Sequence, residues 1–443
     1  MWLLPVFSFA GRLAGSIYYR LTVGGQTVPG RGPVLLVANH PNSLLDPVLV
    51  IAASRRKVRF LAKATLFTDS KVGWLVRGSG AIPVYRRADD PRQMARNEEM
   101  FQAVHQALAG GAAVGIFPEG LSHSEPSLAP LKTGAARIAL GAARRLDRSF
   151  PVVPVGLVFR SKDVFRSEAQ VVIGPPIAWD DLASRDADDA RSVRELTDRI
   201  ATALRRVTVN LDEWEDRPIV ESALEVWESE FGGTGDPSER IARTAETTRI
   251  LHALRARPDG AHHALIEAVR QHAIRLHRLR LGPRDLARDT TAGAAVRWSA
   301  RRLAIVSLPA VLIAVASYLM FWVPYTITGR VAARMQPDTD QRSTYKLMVG
   351  TAVYGIWLAA LASIGAFVIH PLAFPVIALG VPALGMLGLR IRERWRGAWA
   401  DARSFLFLRT RRKAVLALQE KQRQLAQRLD QVYRLQASPD TPP

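Results

Sequence analysis

Asn39, His40 and Asp46 follow closely on an apolar run, and their side chains could together move a proton. The run Val34–Ala38 predicts a buried strand, so His40 would lie where a strand ends and the chain turns. Histidine titrates near neutral pH and can take the proton of a substrate hydroxyl. A carboxylate on its other ring nitrogen would fix the tautomer, as in a triad whose serine is replaced by the acceptor's own hydroxyl. The pattern predicts direct attack by that hydroxyl, without a covalent enzyme intermediate.

Asp46 also has a purely structural explanation. It precedes Pro47, and aspartate is a common N-cap before a proline at the first helical position. A carboxylate has two oxygens and could fill both roles, so catalysis and helix capping both stay open.

A second motif, Phe117-Pro118-Glu119-Gly120, ends the apolar run Ala113–Phe117. Folding alone gives little reason to hold an acidic residue between proline and glycine at the end of a strand. Backbone amides near Gly120 could face a substrate oxygen, and Glu119 could order a hydroxyl or a basic partner. Beyond this turn, His123 would be either a substrate contact or a turn residue.

Around these motifs, short apolar runs alternate with helical patterns, which predicts an α/β domain with a mixed, mostly covered sheet over residues 25–207. The predicted strands are Val34–Ala38, Val58–Ala62, Ala81–Tyr85, Ala113–Phe117, Val152–Val158 and Gln170–Gly174. The predicted helices are Pro47–Ala53, Pro91–Leu108, Lys132–Leu146 and Ala190–Val207.

Residues 208–300 lack strand signals and predict a helical accessory region without a chemical motif, interrupted at Gly232–Gly235, Pro258–Gly260 and Gly282–Pro283. His272 and His277 are not spaced to share one helical face as i, i+4 ligands would be. We therefore interpret the histidines of this region as solvated and not as a metal cluster.

Two runs without Asp, Glu, Lys or Arg, Leu303–Gly329 and Leu347–Leu389, predict a membrane-embedded segment over 301–389. The second run has 43 residues, enough for two crossings with a turn near His370-Pro371. Three crossings would separate the arginines that flank the segment, contrary to the positive-inside tendency, so we expect the first run to be re-entrant or interfacial.

Charge and the chain ends support the membrane interpretation. The net charge is +20, and residues 301–443 hold 19 basic and seven acidic residues, so +12 lies beside the apolar runs and favours lipid headgroups. Residues 390–443 predict a basic helix, from Arg390 to about Leu435, and a tail, and the helix would lie on the membrane or self-associate. Residues 1–24 predict an interfacial helix, or a helix packed on the protein's own core, and not a signal peptide. The absence of cysteine excludes disulfides, thiol catalysis and zinc-finger spacing.

The motifs resemble, in order, the shared blocks of the phospholipid/glycerol acyltransferase family over residues 25–206. The blocks are Asn39-His40 with Asp46, Gly80 to Arg87, Phe117 to Gly120, Val153-Pro154-Val155-Gly156 and Gly174-Pro175-Pro176-Ile177. The residues around His40 and after Glu119 are most similar to those of the branch that acts on glycerol 3-phosphate or dihydroxyacetone phosphate. One departure is that five residues separate His40 from Asp46, where the family usually has four.

The resemblance implies His40 as general base, Asp46 as its orienting partner, and Glu119 and Gly120 as acceptor-binding residues. One of Arg86 and Arg87, with Arg86 preferred, would bind the acceptor phosphate, for which arginine offers bidentate contacts. Lys63 is a second candidate because it follows the predicted strand Val58–Ala62, with Lys132 and Arg137 behind it.

The expected reaction is acyl transfer from acyl-CoA or acyl-carrier protein to the 1-hydroxyl of glycerol 3-phosphate, or of dihydroxyacetone phosphate. No metal or redox cofactor is expected, and the site would face the cytoplasm from the membrane. A rival within the family is acylation of lysophosphatidic acid at its 2-hydroxyl. A rival of another class is a non-catalytic lipid-binding membrane protein, while the placement of the charge argues against a nucleic-acid partner.

Overall fold

A computed structural model describes residues 13–69, 73–86, 91–233, 235–255, 261–287, 293, 307–335 and 340–437. The chain divides into two units. The first unit comprises Met1–Asp216, Thr234–Thr248 and Asp338–Thr344. The second unit comprises Arg217–Gly233, Arg249–Pro337 and Tyr345–Pro443. The first of these boundaries lies nine residues beyond the predicted end of the α/β domain at residue 207.

The first unit contains a mixed sheet in which the described residues supply seven strands in the order β1-β7-β6-β2-β5-β3-β4. The strands are β1 Arg20–Gly25, β2 Val34–Ala38, β3 Val58–Lys63, β4 Ile82–Val84, β5 Ala113–Ile116, β6 Val152–Phe159 and β7 Glu168–Ile173. Only the pairing of β6 with β7 is antiparallel among these strands. β2, β3, β4, β5 and β6 therefore point the same way, and their carboxyl ends meet at one edge of the sheet.

The helices that follow these strands are α1 Leu45–Ser54, α2 Thr65–Thr68, α3 Gly73–Gly78, α4 Asn97–Ala109, α5 Gly134–Leu146 and α6 Ala190–Val207. Leu35 and Val37 of β2 share one buried cluster with apolar side chains of α4, α5 and α6. All five residues of β2 are buried, as expected for a central parallel strand covered on both faces. The predicted α/β class with a mixed sheet is confirmed, and each predicted strand and helix is present within a few residues.

The prediction of an N-terminal helix over residues 1–24 is wrong at the carboxyl end of that segment. Residues 13–18 are helical, but Arg20–Gly25 forms β1 and pairs with β7. Most residues of β1 are exposed or half-buried because it is an edge strand with one neighbour, so it lacks the apolar run that marks the central strands. The apolar residues at 1–12, on which the interfacial helix depended, lie outside the described residues.

The second unit is helical in its described part. Its helices are α7 Arg217–Phe231, α8 Pro237–Arg255, α9 Ala261–Leu279, α10 Pro283–Leu286, α11 Leu308–Arg334, α12 Arg342–Val368, α13 Ala373–Thr410 and α14 Arg412–Ala437. The parts of α8 before Arg249 and of α12 before Tyr345 belong to the first unit. Among the described residues, α11, α12 and α13 are the three helices long and apolar enough to cross a membrane. The predicted break near His370-Pro371 is confirmed, because it separates α12 from α13.

The first apolar run, expected to be re-entrant or interfacial, has no re-entrant break in its described part, and its interfacial placement stays a prediction. It forms the continuous helix α11, of 27 residues, which contains Pro324. Ser317 lies against Gly388, and Phe321, one turn later, lies against Gly385, so α11 and α13 pack antiparallel. A Cβ at Gly388 would come within 2.3 Å of Ser317, which explains the small residues at this contact. The number of membrane crossings stays a prediction.

The predicted basic C-terminal helix is divided between the end of α13 and α14, and α14 packs inside the second unit. Contact of this basic region with a membrane and its self-association stay predictions. Leu425, Ala426 and Leu429 are buried against apolar side chains of α7 and α9. Gln422, also fully buried, donates to Ser229 Oγ at 3.0 Å and to the Pro283 carbonyl at 3.2 Å.

His272 was expected to be solvated but is fully buried in α9. Its Nε2 lies 3.2 Å from Gln422 Oε1, so α14 covers the ring. Burial lowers the pKa of His272 below its ordinary value of 6.5, and Lys421 and Arg275 act in the same direction. His277, on the same helix, is exposed as predicted.

We expect acidification to destabilise the second unit through His272. Its pKa is lower in the folded chain than in the unfolded chain, so the unfolded chain alone gains a proton just below pH 6.5. Stability is therefore present above pH 6.5 and is lost as the pH falls towards the folded pKa, by up to about 1.4 kcal/mol per pH unit. Thermal unfolding between pH 7.5 and pH 5 would measure this loss.

The matched variants are His272→Gln and His277→Gln. The first variant removes the buried titrating ring. It should reduce the loss of stability that accompanies a fall in pH, although it lowers stability at pH 7.5. The second leaves His272 in place and should keep the slope. An identical pH dependence in all three proteins would contradict the assignment to His272.

Candidate active site

His40 and Asp46 meet at the carboxyl edge of the sheet, just beyond β2. His40 Nδ1 lies 2.8 Å from Asp46 Oδ2, which also accepts the amide of Asn42 at 2.6 Å. The additional residue in this segment is accommodated by a tight turn in which Ser43 has φ 47°. The five-residue spacing therefore still allows direct contact. Within the described residues, His40 Nε2 has no protein hydrogen-bond partner, so this nitrogen is left for a substrate.

Asp46 does not cap its helix. α1 begins at Leu45, and Asp46 lies in its first turn, with its side chain directed back to Asn42 and His40. The capping explanation is therefore wrong, which removes the competitor of the catalytic interpretation. The carboxylate is fully buried, and burial raises its pKa, while the hydrogen bonds from His40 and Asn42 act in the opposite direction.

Asn39 fixes the point at which the backbone leaves the sheet. Its side-chain amide donates to the Leu157 carbonyl at 3.0 Å, and its oxygen accepts the Leu157 amide at 2.7 Å. These bonds continue the β2–β6 ladder, in which Ala38 is opposite Val155. His40 can consequently turn away from the sheet without leaving the backbone of β6 unpaired.

Glu119 joins the two motifs. Its Oε1 accepts the backbone amide of His40 at 2.7 Å, and its Oε2 accepts the amide of Ala129 at 2.9 Å and the ring of His123. Only 2% of Glu119 is exposed. Its direct contact with the acceptor stays a prediction, and the observed contacts give it a positioning role. The His123 ring accepts the Glu125 amide through Nδ1, which assigns the proton to Nε2 and the hydrogen bond to Glu119.

Gly120 adopts φ +76°, a region that favours glycine, and closes the turn with a bond from its amide to the Phe117 carbonyl at 3.0 Å. Lys132 lies over it, because a Cβ at Gly120 would come within 2.6 Å of the Lys132 ammonium. Lys132, which was expected behind the site, thus lies directly beside the Phe-Pro-Glu-Gly turn.

An aromatic stack fixes the plane of the His40 ring. The Phe117 ring lies parallel to it, with centroids 4.0 Å apart, and Phe60 stacks on the far side of Phe117 at 5.4 Å. Phe60 has room because Gly115 carries no side chain where the two meet. Phe117 was recognised as part of the motif. No pattern in the sequence, however, indicates that its ring stacks on His40 and Phe60.

A further chain of buried polar groups reaches the site from Tyr19, the residue before β1. Asn42 Nδ2 donates to the hydroxyl of Tyr19 at 2.7 Å, and that hydroxyl donates to the Lys162 carbonyl. Tyr19 and Asn42 are fully buried, and burial raises the pKa of Tyr19. The Lys162 ammonium lies 3.0 Å from Ser124 Oγ. Tyr19 and Lys162 were missed because they are 21 residues before and 122 residues after His40 in the chain.

The predicted phosphate ligands lie at the same edge of the sheet. Lys63 ends β3 opposite Val84 of β4, and Arg86 follows β4 by two residues. Arg86 is half-buried and, within the described ranges, has no ion pair, whereas Arg137 pairs with Asp188 at 3.2 Å. Arg87 lies outside the described residues. Among the described residues, including those of this site, no group of three or more His, Asp or Glu is placed to hold a metal ion.

Residues 20–158 match the family model described as "Acyltransferase". They contain every motif that meets in this site. We call this matching stretch the acyltransferase domain.

Relatives of the acyltransferase domain are named as glycerolipid acyltransferases. Glycerol-3-phosphate O-acyltransferase 2 of Saccharomyces cerevisiae is 36% identical over 135 residues, which cover 30% of this chain and 18% of the yeast protein. The 1-acyl-sn-glycerol-3-phosphate acyltransferase of Streptococcus pneumoniae is 28% identical over 181 residues, covering 41% and 62% of the two chains. The chain thus spans less than a fifth of the length of the yeast relative.

The structure also has a counterpart among solved structures. The 1-acyl-sn-glycerophosphate (LPA) acyltransferase PlsC from Thermotoga maritima aligns with a TM-score of 0.34 and 20% identity. The alignment covers 46% of this chain and 78% of that one.

Glu119→Gln should loosen the acyltransferase domain at the junction of its two turns. Three donors meet the two carboxylate oxygens, and a glutamine can accept with one oxygen only. At least one buried donor then loses its partner, and we expect a loss of about 1–3 kcal/mol in the free energy of unfolding. Thermal or chemical unfolding of the full chain measures it.

Glu125→Gln is the matched control, because Glu125 is exposed on the same turn. It should leave the unfolding transition unchanged. Equal stability of both variants would show that Glu119 does not hold the turns together.

Proposed function

We propose that this protein transfers a fatty acyl group from an acyl thioester to a hydroxyl of a glycerophosphate acceptor in glycerolipid synthesis. The observation that carries the proposal is the His40–Asp46 pair. Its acid is fully buried, its contact is 2.8 Å, and its second ring nitrogen is left for a substrate. The matching family model and the named activities of the relatives support the same chemistry.

The proposed step needs no protein nucleophile. His40 Nε2 accepts the proton of the acceptor hydroxyl as its oxygen attacks the thioester carbonyl. The tetrahedral intermediate then expels the thiolate, which takes the proton from the imidazolium and leaves as a thiol. Asp46 keeps the His40 Nδ1 proton in place and stabilises the imidazolium, and the face of the Phe117 ring favours that cation. The donor would be acyl-CoA or acyl-carrier protein.

For the acceptor we propose the 1-hydroxyl of glycerol 3-phosphate, which would give lysophosphatidic acid. Support comes from the yeast relative, which is named for glycerol 3-phosphate and has the highest identity of the relatives described above. Dihydroxyacetone phosphate is a related acceptor. The rival, acylation of lysophosphatidic acid at its 2-hydroxyl, is supported by the streptococcal relative's name.

A membrane location with the site facing the cytoplasm belongs to the same proposal. Three apolar helices support membrane attachment, and a cytoplasmic site would meet thioester donors there. The rival of another class, a non-catalytic lipid-binding protein, has no need of a buried carboxylate oriented on a histidine.

His40→Ala should reduce acyl transfer by at least about 10³-fold while the chain stays folded, because the general base is lost. Asp46→Asn should reduce it similarly by favouring the wrong imidazole tautomer. Radiolabelled acyl transfer by reconstituted full-length protein measures both. Wild-type activity in His40→Ala would refute the catalytic assignment, and no transfer by the wild type to any acceptor would favour the lipid-binding rival.

Asp46→Asn should be as stable as the wild type at neutral pH, or more stable. Burial raises the pKa of Asp46 above its ordinary 3.8, so the folded chain holds this proton more tightly than the unfolded chain. The stabilising contribution is therefore present at low pH and lost as the pH rises through the folded pKa. Asparagine removes the buried charge, and thermal unfolding at pH 7 and pH 4 would show the variant's relative advantage shrinking at pH 4.

Arg86→Gln should raise the KM for a phosphorylated acceptor by about 10-fold or more and change kcat little, because a charge-assisted phosphate contact is lost. Kinetics with glycerol 3-phosphate, dihydroxyacetone phosphate and lysophosphatidic acid would test the residue and rank the acceptors together. Arg137→Gln, which removes an arginine paired with Asp188, is the control. Equal KM values in the two variants would exclude Arg86 as the phosphate ligand.

A further inference from the structure

The continuous helix α13 is apolar in its first half and basic in its second half. Residues 373–389 contain no charged side chain, whereas residues 390–411 contain seven arginines and only two acidic residues. The helix runs from Ala373 to Thr410. At 1.5 Å per residue, the residues from Arg392 to Trp399 lie about 5 to 15 Å beyond the last apolar residue, Leu389, along the helix axis. A headgroup layer is about 5 to 8 Å thick, so the first of these residues lie at its depth if the apolar half is embedded.

The arginines and tryptophans of this half fall on one face. Arg392, Trp395, Arg396, Trp399 and Arg403 lie within an arc of about 100° on a helix with 3.6 residues per turn. With Ala400 they line one open groove. We call these five side chains the Arg–Trp face. The opposite side of the helix holds the buried residues Ala398, Ser404 and Leu408, so the helix cannot roll to hide the Arg–Trp face.

Trp399, Arg396 and Arg403 leave part of the Arg–Trp face open to solvent. Trp399 is 77% exposed, which is costly for an indole in water. Arg396 and Arg403 are exposed and, in the part of the chain that the structure describes, have no ion pair. Arg392 lies at one end with its guanidinium 5.4 Å from the centroid of the Tyr318 ring, which holds it over the apolar half.

We propose that the Arg–Trp face binds the phosphate groups of anionic phospholipids. Guanidinium groups offer bidentate contacts to phosphate, and indole rings favour the boundary between apolar and aqueous layers. The apolar half of the same helix supplies the neighbouring layer for acyl chains. A free phosphate ion would use only the arginines, and a nucleic acid would not use the adjoining apolar surface. The inference does not rest on the proposed catalysis.

The test titrates the full-length chain, in micelles of an uncharged detergent, with dioctanoyl phosphatidylglycerol. Dioctanoyl phosphatidylcholine and inorganic phosphate are titrated in parallel. The signal is the Trp399 fluorescence, taken as the difference between the wild type and Trp399→Phe. We expect a saturable change with phosphatidylglycerol, and at most a weak one with the other two ligands.

Two double variants separate a site from diffuse attraction, because each removes two positive charges from the basic half of α13. Arg396→Gln/Arg403→Gln changes the Arg–Trp face and should raise the midpoint at least about tenfold. Arg390→Gln/Arg394→Gln changes the other side of the helix and should raise it less than about twofold. Arg396→Lys/Arg403→Lys keeps the charge and should still weaken binding, which covers a folding defect in the glutamine variant.

Several outcomes would overturn the inference. Equal losses in the two glutamine variants would mean diffuse electrostatics, and equal responses to the two lipids would mean that the phospholipid charge is not recognised. Saturation by inorganic phosphate at the same concentration would mean an ion site without lipid specificity.

Discussion

The hydrogen bond from the His40 amide to Glu119 is the constraint on which the active site depends. It joins turns that leave two neighbouring strands, β2 and β5, at the same edge of the sheet. Two further bonds reinforce the junction, from the His123 amide to the His40 carbonyl and from the Ser43 amide to Ser122 Oγ. With its backbone held on one side and its ring stacked on Phe117, His40 retains little freedom to leave Asp46. Glu119 therefore has a positioning role for the proposed reaction, through the backbone of His40.

Burial of two carboxylates is the unfavourable part of this arrangement. Glu119 is surrounded by three donors, which compensates its desolvation. Asp46 is less well satisfied, because both of its hydrogen bonds fall on one oxygen and the other has no partner within the described chain. The less well stabilised of the two carboxylates thus lies directly beside His40, the general base of the proposed reaction.

The central sheet and the motifs could be predicted from the sequence because both leave local signals. β2 is buried along its whole length and reads as an apolar run, and the polar residues that end it stand out. β1 could not be predicted, because an edge strand with exposed residues has no such run. Tyr19 and Lys162 could not be assigned to the site, because only the sheet topology brings them to Asn42. His272 was misjudged for the same reason, since its cover comes from Gln422, 150 residues away.

The contact between Asn39 and Leu157 has a consequence for how the sheet ends. The asparagine side chain presents one donor and one acceptor to β6, as a peptide group of a further β2 residue would. The Asn39 side chain therefore takes the place of a peptide group. The hydrogen bonds between β2 and β6 extend one step beyond the backbone of β2. The main chain is released from the strand direction one residue early, while the neighbouring strand remains fully paired. These bonds hold the turn that carries His40 at a position where an unpaired end of β2 would otherwise fray.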